Sequence, residues 1–325
     1  MPVTPVSLLC GFLGAGKTTL LRAVLEQTAL ANAAVIVNEF GEVSIDHLVV
    51  ADLTENILEL RNGCLCCTIR GDLTLTLRDL YQRRQLGDIK PFDQVIVETS
   101  GLANPIPIIH TLMVNPALMK AYCLDTVVCV VDAVNGSTTI DAHDSAANQL
   151  ALADLIILSK GDIATKEQLA QTLATIADVN PSAEVRDVIR GEIDSTRIFG
   201  RRLFNPLKRS KFIDRWLGAH PDHNHDSVYV THTITRQGTL SLAGTSVFLN
   251  HVVNQQREHI LRIKGLAGFR ERDDRPALLH AVQDKFYPLE WLDAWPNDDH
   301  SSRLVFIGRD LDTAWLDAKF DSLCL

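Results

Sequence analysis

Short runs of apolar, often β-branched residues recur through the first half of the chain, and segments with helical spacing separate them. Several runs are apolar throughout, which is typical of strands that are covered on both faces. Strands that alternate with helices predict a mostly parallel sheet with helices packed on each side. The clearest strand candidates are VSLLC at 6–10, AAVIVN at 33–38, QVIVET at 94–99, TVVCVVD at 126–132 and DLIILSK at 154–160.

Two helices are predicted between the first three of these strands. The segment KTTLLRAVLEQT covers residues 17–28, and LTLTLRDLYQRR covers residues 73–84. In the second segment Leu73, Leu77 and Leu80 share one face at helical spacing. That face is expected to pack on the sheet.

The alternation ends near residue 200, where a helix candidate at 207–217 leads into a polar linker. Beyond the linker the pattern predicts a smaller α+β domain with strands at 227–234, 260–266 and 303–308 and helices at 246–256 and 313–323. We therefore divide the chain into a first domain at 1–200, a linker at 201–226 and a second domain at 227–325. The linker carries His220, His223 and His225, which are expected either to be solvated or to capture metal.

Composition favours an ordinary globular protein. The chain has 325 residues, of which 46% are hydrophobic and 22% are charged, enough for about two domains. No window approaches the ~18 apolar residues of a membrane-spanning helix, and no secretory leader is evident, so a cytoplasmic protein is expected. The net charge of -9 disfavours nucleic acid or anionic membrane as partners, because both reward clustered Lys and Arg.

The segment GFLGAGKT at 11–18 fits the phosphate-loop pattern G-x-x-x-x-G-K-[ST] between a predicted strand and a predicted helix. Its glycines let backbone N–H groups turn towards phosphates, and the helix adds the positive end of its dipole. Lys17 is expected to reach the β- and γ-phosphates, and the Thr18 hydroxyl to bind Mg²⁺. The alternative is a glycine-rich turn that fits by chance. The predicted nucleotide contacts here are Gly11, Gly14, Ala15, Gly16, Lys17, Thr18 and Thr19.

A nucleoside triphosphatase of this type also needs an acidic residue near Mg²⁺ at the end of another strand. Glu98 ends the apolar run at 94–99, and Gly101 follows three residues later with a backbone N–H for the γ-phosphate. We predict Lys17, Thr18 and Glu98 as the catalytic residues. A strand followed by an ordinary turn is the alternative interpretation.

The segment SKGD at 159–162 predicts the base. In GTP-binding folds an N-K-x-D loop uses its Asp to accept hydrogen bonds from guanine N1 and N2, which adenine does not donate. Lys160 and Asp162 are in place, whereas Ser159 stands where Asn is usual. GTP is favoured over ATP, because Asp162 would face adenine as an unpaired acceptor.

Three of the seven cysteines lie within four positions, at Cys64, Cys66 and Cys67. Adjacent cysteines form only a strained disulfide, and cytoplasmic thiols are kept reduced. Three thiolates that face one point suit a soft or borderline ion such as Zn²⁺ or Cu(I). A redox sensor and buried core cysteines are the alternatives.

The chain resembles the CobW-like P-loop GTPases, a group related to the nickel-enzyme maturation GTPases UreG and HypB, and it is most similar to the YjiA-like branch. The resemblance rests on the order and spacing of GFLGAGKTTLL, NEFGEVSID, NGCLCC, ETSGLANP and SKGD. It covers the nucleotide domain, and the C-terminal half is similar to the family's smaller domain.

This resemblance implies a GTP-dependent metallochaperone that transfers a transition metal to a client metalloprotein. Zinc is the implied cargo, with cobalt as the alternative. NEFGEVSID at 38–46 is the implied first switch segment, which brings Glu39, Glu42 and Asp46 near Mg²⁺ or the thiol-bound metal. Relatives often have an acidic residue at the position of Val37, so Glu42 is the better carboxylate partner for the thiols. The predicted metal ligands are Cys64, Cys66, Cys67 and Glu42 for the transition metal, and Thr18 and Glu98 for Mg²⁺.

The predicted function is therefore a GTPase, slow without a partner, that couples GTP hydrolysis to metal transfer. A zinc- or redox-responsive regulatory protein and a small-molecule kinase are the alternatives. The sequence leaves the client, the physiological metal and a homo-oligomeric state open.

Overall fold

The structure is a computed structural model, and it describes residues 3–38, 57–59, 65–68, 73–188, 193–199, 217, 228–296 and 298–325. The chain divides into two compact units. The first comprises Met1–Leu173 with Val185–Phe204, and the second comprises Ala174–Glu184 with Asn205–Leu325. The predicted helix at 207–217, apart from Leu217, and the histidines of the predicted linker lie outside the described residues.

An eight-stranded sheet forms the centre of the first unit, in the order β3-β4-β2-β5-β1-β6-β7-β8. The six strands from β4 to β7 in this order pair in parallel, and β3 pairs antiparallel with β4. The strands are β1 Thr4–Cys10, β2 Ala33–Asn38, β3 Ile57–Glu59, β4 Leu65–Thr68, β5 Gln94–Thr99, β6 Tyr122–Asp132, β7 Leu155–Ser159 and β8 Glu184–Asp187.

Helices cover both faces of this sheet, so successive residues such as Leu8 and Leu9 of β1 are both fully buried. This explains why the strands read as continuous apolar runs. As predicted, Leu73, Leu77 and Leu80 form the buried face of their helix. The helices are α1 Lys17–Leu25, α2 Leu73–Leu86, α3 Ile106–Val114, α4 Pro116–Met119, α5 Gly136–Ala142, α6 Asp144–Ala151 and α7 Lys166–Val179, with short 3-10 turns at Thr28–Leu30 and Ser195–Arg197.

The second unit is built on an antiparallel sheet in the order β12-β11-β10-β14-β9, with β13 paired to β11. One sheet face packs on two helices through an aromatic cluster of Phe248, Phe306 and Phe320. The strands are β9 Tyr229–Arg236, β10 Ile260–Phe269, β11 Arg272–Val282, β12 Lys285–Phe286, β13 Glu290–Trp291 and β14 Ser302–Arg309, and the helices are α8 Leu242–Gln255 and α9 Thr313–Cys324.

The predicted fold class is confirmed in both parts: a mostly parallel α/β sheet and a smaller α+β unit. Helix α8 begins four residues earlier than predicted, because Ser241 caps it by accepting a hydrogen bond from the Gly244 N–H. Strand β11 is not predicted by the sequence, since its first residues are exposed and charged and mask the apolar run that follows. Among the helices of the described residues, none is both long and apolar enough to cross a membrane.

Candidate nucleotide site and metal centre

The phosphate loop leaves β1 in close contact with β6. Gly11 has φ 141°, and a Cβ atom at this position would lie 2.4 Å from the Val130 carbonyl oxygen. Only glycine permits this approach. The loop is therefore seated on the neighbouring strand before it turns towards α1.

Helix α1 begins at Lys17, directly after Gly16, and no side chain caps its first turn. The first N–H groups of a helix have no partner within it, so this end of α1 is suited to bind an anion. Lys17 is largely buried, and its Nζ donates to the carbonyl oxygens of Gly11 at 2.9 Å and Phe12 at 3.2 Å. An ammonium group has three donors, so one donor is left for a phosphate oxygen.

Thr18 and Glu98 meet although they are far apart in sequence. The Thr18 hydroxyl donates to Glu98 Oε1 at 2.8 Å, and the Glu98 side chain is buried. Parallel pairing of β1 with β5 places Leu9 opposite Glu98, which brings the strand end to the phosphate loop. A hydroxyl and a carboxylate are the hard oxygen ligands that Mg²⁺ prefers, so the predicted pair fits this ion.

The loop after β5 touches the phosphate loop. A Cβ atom at Gly101 would lie 2.7 Å from the backbone nitrogen of Leu13, so the contact requires glycine. Residues 100–103 form a turn in which the Ala103 N–H donates to the Ser100 carbonyl oxygen. Gln149 of α6 donates to the carbonyl oxygens of Gly101 and Ala103. Gly101 is therefore placed beside the phosphate loop.

The predicted base-recognition loop follows β7 at the same edge of the sheet. The Ser159 hydroxyl lies 2.6 Å from the carbonyl oxygen of Ala15 and 3.2 Å from that of Val131. Ser159 therefore ties this loop to the phosphate loop, although it replaces the usual Asn. Lys160 has a positive φ of 59°, and Asp162 is exposed.

Asp132 is a residue of this region that the sequence analysis does not predict. Its carboxylate pairs with Lys160 Nζ at 2.6 Å and accepts a hydrogen bond from the Val134 N–H at 2.8 Å. Partial burial would raise the pKa of Asp132, but the hydrogen bonds from Lys160, Val134 and Asn135 outweigh this effect and lower the pKa below its usual value. An acidic residue at the carboxyl end of a buried strand is the sequence signal for this role.

A cavity of about 440 Å³ lies along the outer side of the phosphate loop. The ends of β6 and β7 and the first turn of α5 enclose it. Its lining includes Phe12, Leu13, Gly14, Ala15, Asp132 and Lys160. The cavity therefore borders the phosphate loop and the first residue after β7, whereas Lys17, Thr18 and Glu98 are not part of its lining.

The predicted nucleotide residues converge from three loops, at the carboxyl ends of β1, β5 and β7. Thr19 lies exposed in the first turn of α1. The other residues that the sequence predicts to bind the nucleotide or Mg²⁺ in these loops are Gly11, Gly14, Ala15, Gly16, Lys17, Thr18, Glu98, Gly101, Ser159, Lys160 and Asp162.

The predicted thiol centre is described only in part. Cys66 and Cys67 lie in β4, where the backbone register pairs them with Val35 and Ile36 of β2. Cys64 and Glu42 lie outside the described residues. Within the ranges that the structure describes, no group of three His, Cys, Asp or Glu side chains is arranged to hold a metal ion.

The other four cysteines lie apart from the thiol motif. Cys10, Cys129 and Cys324 are buried and Cys123 is half-buried. A hydrogen bond with Cys10, together with burial, raises the pKa of the Cys129 thiol well above its usual value.

Comparison with known proteins agrees with this geometry. Residues 5–187 match the CobW/HypB/UreG nucleotide-binding domain, and residues 229–324 match the C-terminal domain of the cobalamin synthesis protein CobW. Zinc chaperone YjiA of Escherichia coli K12 is 33% identical over 319 residues, which cover 98% of each chain. Zinc-regulated GTPase metalloprotein activator 1 of Schizosaccharomyces pombe is 36% identical over 197 residues, which cover 58% of this chain and 47% of that protein.

A solved structure is similar over the same length. The crystal structure of Zn(II)-bound YjiA GTPase from E. coli aligns with a TM-score of 0.81 at 30% identity and covers 99% of each chain. The parallel sheet, the phosphate loop and the Thr18–Glu98 pair define a P-loop nucleoside-triphosphatase fold. Within that class, the chain belongs to the CobW/HypB/UreG family.

The Asp132–Lys160 pair predicts a pH-dependent term in stability. A depressed folded pKa stabilises the fold above the ordinary Asp pKa of about 3.9, and this term is lost as pH falls through the folded pKa. Because solvent screens the half-exposed Lys160, Asp132→Asn is expected to cost about 1 kcal/mol at pH 7. Urea unfolding of the full chain measures the free energy of unfolding of the wild type and of Asp132→Asn. The difference between the two should become smaller as the pH is lowered from 7 to 3.

The exposed Asp141 of α5 provides the control. Asp141→Asn should change the free energy of unfolding by less than about 0.5 kcal/mol. An Asp132→Asn effect that stays constant down to pH 3 would contradict the ion-pair account.

Proposed function

We propose that this chain is a GTP-hydrolysing metallochaperone that binds a zinc ion through Cys64, Cys66 and Cys67 and transfers it to a client metalloprotein in the cytoplasm. The observation that carries the nucleotide part of the proposal is the Thr18–Glu98 hydrogen bond, which joins the phosphate loop to the end of β5 at 2.8 Å. The names of the relatives support the cargo and the nucleotide. Cobalt remains the alternative cargo.

Triphosphate binding follows from the charge and backbone of the loop. The Lys17 ammonium and the uncapped start of α1 supply positive potential at one point. When bound between Thr18 and Glu98, Mg²⁺ would neutralise charge on the β- and γ-phosphates. Gly101 would offer its N–H to the γ-phosphate.

Hydrolysis in this account is positioning chemistry, in which Lys17 and the loop amides hold the phosphates while water attacks the γ-phosphate. Among the described residues we assign none to orienting that water. Slow turnover without a partner is therefore proposed, since a partner or client would complete the arrangement.

Guanine selectivity is proposed to come from Asp162, which accepts from the two adjacent donors of guanine. Ser159 supports this loop by its bond to Ala15, which joins the base loop to the phosphate loop. The Lys160–Asp132 pair fixes the next residue of the loop. ATP would face the Asp162 carboxylate without the donors that guanine supplies.

The sheet register supports a coupling between the thiol motif and the phosphate site. Thr68 of β4 lies opposite Val37 of β2, and Val37 lies opposite Glu98 of β5. Neighbouring strands are about 4.8 Å apart, so the end of β4 and the strand end that carries Glu98 are separated by about 10 Å. The segment predicted to act as a switch begins at Asn38, which pairs with Thr99 beside Glu98.

The proposed cycle uses this proximity. GTP with Mg²⁺ orders the switch segment and the loop after Glu98, which brings Glu42 towards the three thiolates and tightens the metal site. Hydrolysis removes the γ-phosphate contacts, relaxes both segments and lets the zinc pass to the client.

Base selectivity gives the first test of this function. Asp162→Asn replaces a carboxylate acceptor with an amide, which suits the C2 carbonyl of xanthine better than the donors of guanine. GDP affinity should fall by about 100-fold, the size expected for hydrogen bonds to a charged group, while xanthosine diphosphate binding should appear. Calorimetric titration of both nucleotides measures the exchange.

In this titration Asp141→Asn is the matched carboxylate control and should bind GDP as the wild type does. Equal binding of ATP and GTP by the wild type would contradict guanine recognition. Phosphate transfer from ATP to an added acceptor would instead support a small-molecule kinase.

Metal and nucleotide binding must be linked reciprocally. If a non-hydrolysable GTP analogue tightens Zn²⁺ binding by a factor of about 5 to 150, Zn²⁺ must tighten analogue binding by the same factor. Cys66→Ser should abolish the effect in both directions because it removes a thiolate. Competition of the reduced protein with a chromogenic zinc chelator measures the Zn²⁺ affinity with and without the analogue. Titration of the analogue with and without Zn²⁺ measures the effect in the other direction.

Cys123→Ser, in β6, is the control for loss of a thiol and should retain the coupling. Equal Zn²⁺ affinity with the analogue, with GDP and without nucleotide would rule out the proposed cycle. Reversible oxidation of the cluster without metal uptake would point instead to a redox-responsive regulator.

A further inference from the structure

Gln149 is a fully buried polar residue in α6 that does not belong to any of the predicted motifs. Its side-chain amide donates to the carbonyl oxygen of Gly101 at 3.1 Å and to that of Ala103 at 2.9 Å. An amide NH₂ group has two protons, so both are committed to the loop that follows Glu98. In the sequence, Gln149 lies 48 residues after Gly101 and 46 residues after Ala103.

The two bonds fix how the loop presents its peptide groups. A carbonyl that is held at its oxygen cannot rotate, so Gln149 sets the orientation of the peptides after Gly101 and Ala103. The Leu102 side chain, between the two bound carbonyl groups, is 59% exposed and does not anchor the loop. On its other side Gly101 lies against Leu13 of the phosphate loop. Gly101 is thus held between the phosphate loop and Gln149.

Helix α6 is itself attached to the phosphate loop. His143, immediately before α6, stacks on Phe12 with ring centroids 4.6 Å apart and an angle of 18° between the planes. Ala146 of the same helix lines the cavity beside that loop. Helix α6, which carries Gln149, therefore also contacts the phosphate loop. This contact fixes the position of Gln149 relative to that loop.

The side-chain oxygen of Gln149 does not account for a glutamine at this position. Its Oε1 is buried and accepts no hydrogen bond from the part of the chain that the structure describes. A buried acceptor without a partner is unfavourable, so an apolar side chain of the same length would suit the core better. The glutamine is explained by the two donors that it offers to the loop.

We propose that Gln149 is a positioning residue that holds the Gly101 loop in the orientation required to bind the γ-phosphate, and that it thereby sets the preference for GTP over GDP. The inference rests on the proposed GTPase function and extends it to a residue outside the nucleotide motifs. GDP has no γ-phosphate for this loop to contact, so the affinity for GDP does not depend on the two hydrogen bonds from Gln149.

The test compares affinities for a non-hydrolysable GTP analogue and for GDP, both with Mg²⁺, in the full chain. Gln149→Met keeps the length of the side chain and removes both donors. Analogue affinity is expected to fall by about 10-fold, as for one misplaced hydrogen bond, and GDP affinity to change by less than about twofold. The analogue-to-GDP ratio of affinities is the decisive quantity, because a general loss of structure would weaken both nucleotides together.

Gln27→Met is the matched control in the same unit. The Gln27 amide also binds two backbone groups, donating to the Ile193 carbonyl oxygen at 2.7 Å and accepting from the Ser195 N–H at 2.8 Å, but these lie outside the nucleotide loops. The analogue-to-GDP ratio of affinities of the Gln27→Met variant should equal that of the wild type. Gln149→Leu, which is smaller and also carries no donor, provides a second variant if the methionine variant does not fold.

An unchanged ratio in a folded Gln149 variant would overturn the inference while leaving the proposed function intact. A ratio that falls equally in Gln27→Met would also overturn it, because loss of any glutamine that binds backbone groups would then have the same effect. If the wild type binds neither nucleotide, the proposed function itself fails, so the two failures are distinguishable.

Discussion

The parallel pairing of β1 with β5 is the constraint on which the nucleotide site depends. It brings Glu98 opposite Leu9, so that the carboxylate at the end of one strand reaches the hydroxyl at the start of α1. The contact between Gly11 and Val130 seats the phosphate loop on the neighbouring strand. Without this register, Glu98 would not meet Thr18 at the start of α1. With it, Lys17, Thr18 and Glu98 form the site that we propose for a triphosphate and a hard cation.

Three loops meet at this edge, and side chains hold two of them by their backbone carbonyl oxygens. Ser159 and Lys17 bind the phosphate loop at Ala15 and Gly11, and Gln149 of α6 binds the loop after β5 at Gly101. Such bonds set the orientation of peptide groups, which is what a phosphate site requires. In the same sheet, only β2 separates β5, which carries Glu98, from β4, which carries Cys66 and Cys67.

The local motifs and the strand pattern were predictable because each depends on residues that are close in sequence. The glycine spacing of the phosphate loop and the acidic residue after an apolar run both have physical reasons that apply in any chain. Gln149 was not predictable, since it acts on carbonyl groups almost fifty residues away. Strand β11 escaped prediction for a local reason: it begins with charged residues at the exposed end of a hairpin, and periodicity alone does not identify it.

The Mg²⁺ dependence of GTP-analogue binding tests the central claim most directly, because it depends on the contact between Thr18 and Glu98. In the wild type, Mg²⁺ should strengthen binding of the analogue by at least about 10-fold. Glu98→Gln keeps the size of the side chain but removes its charge, and should abolish most of that gain. Asp93→Asn, one residue before β5, should retain it. An identical Mg²⁺ dependence in the Glu98→Gln variant and the wild type would contradict the account.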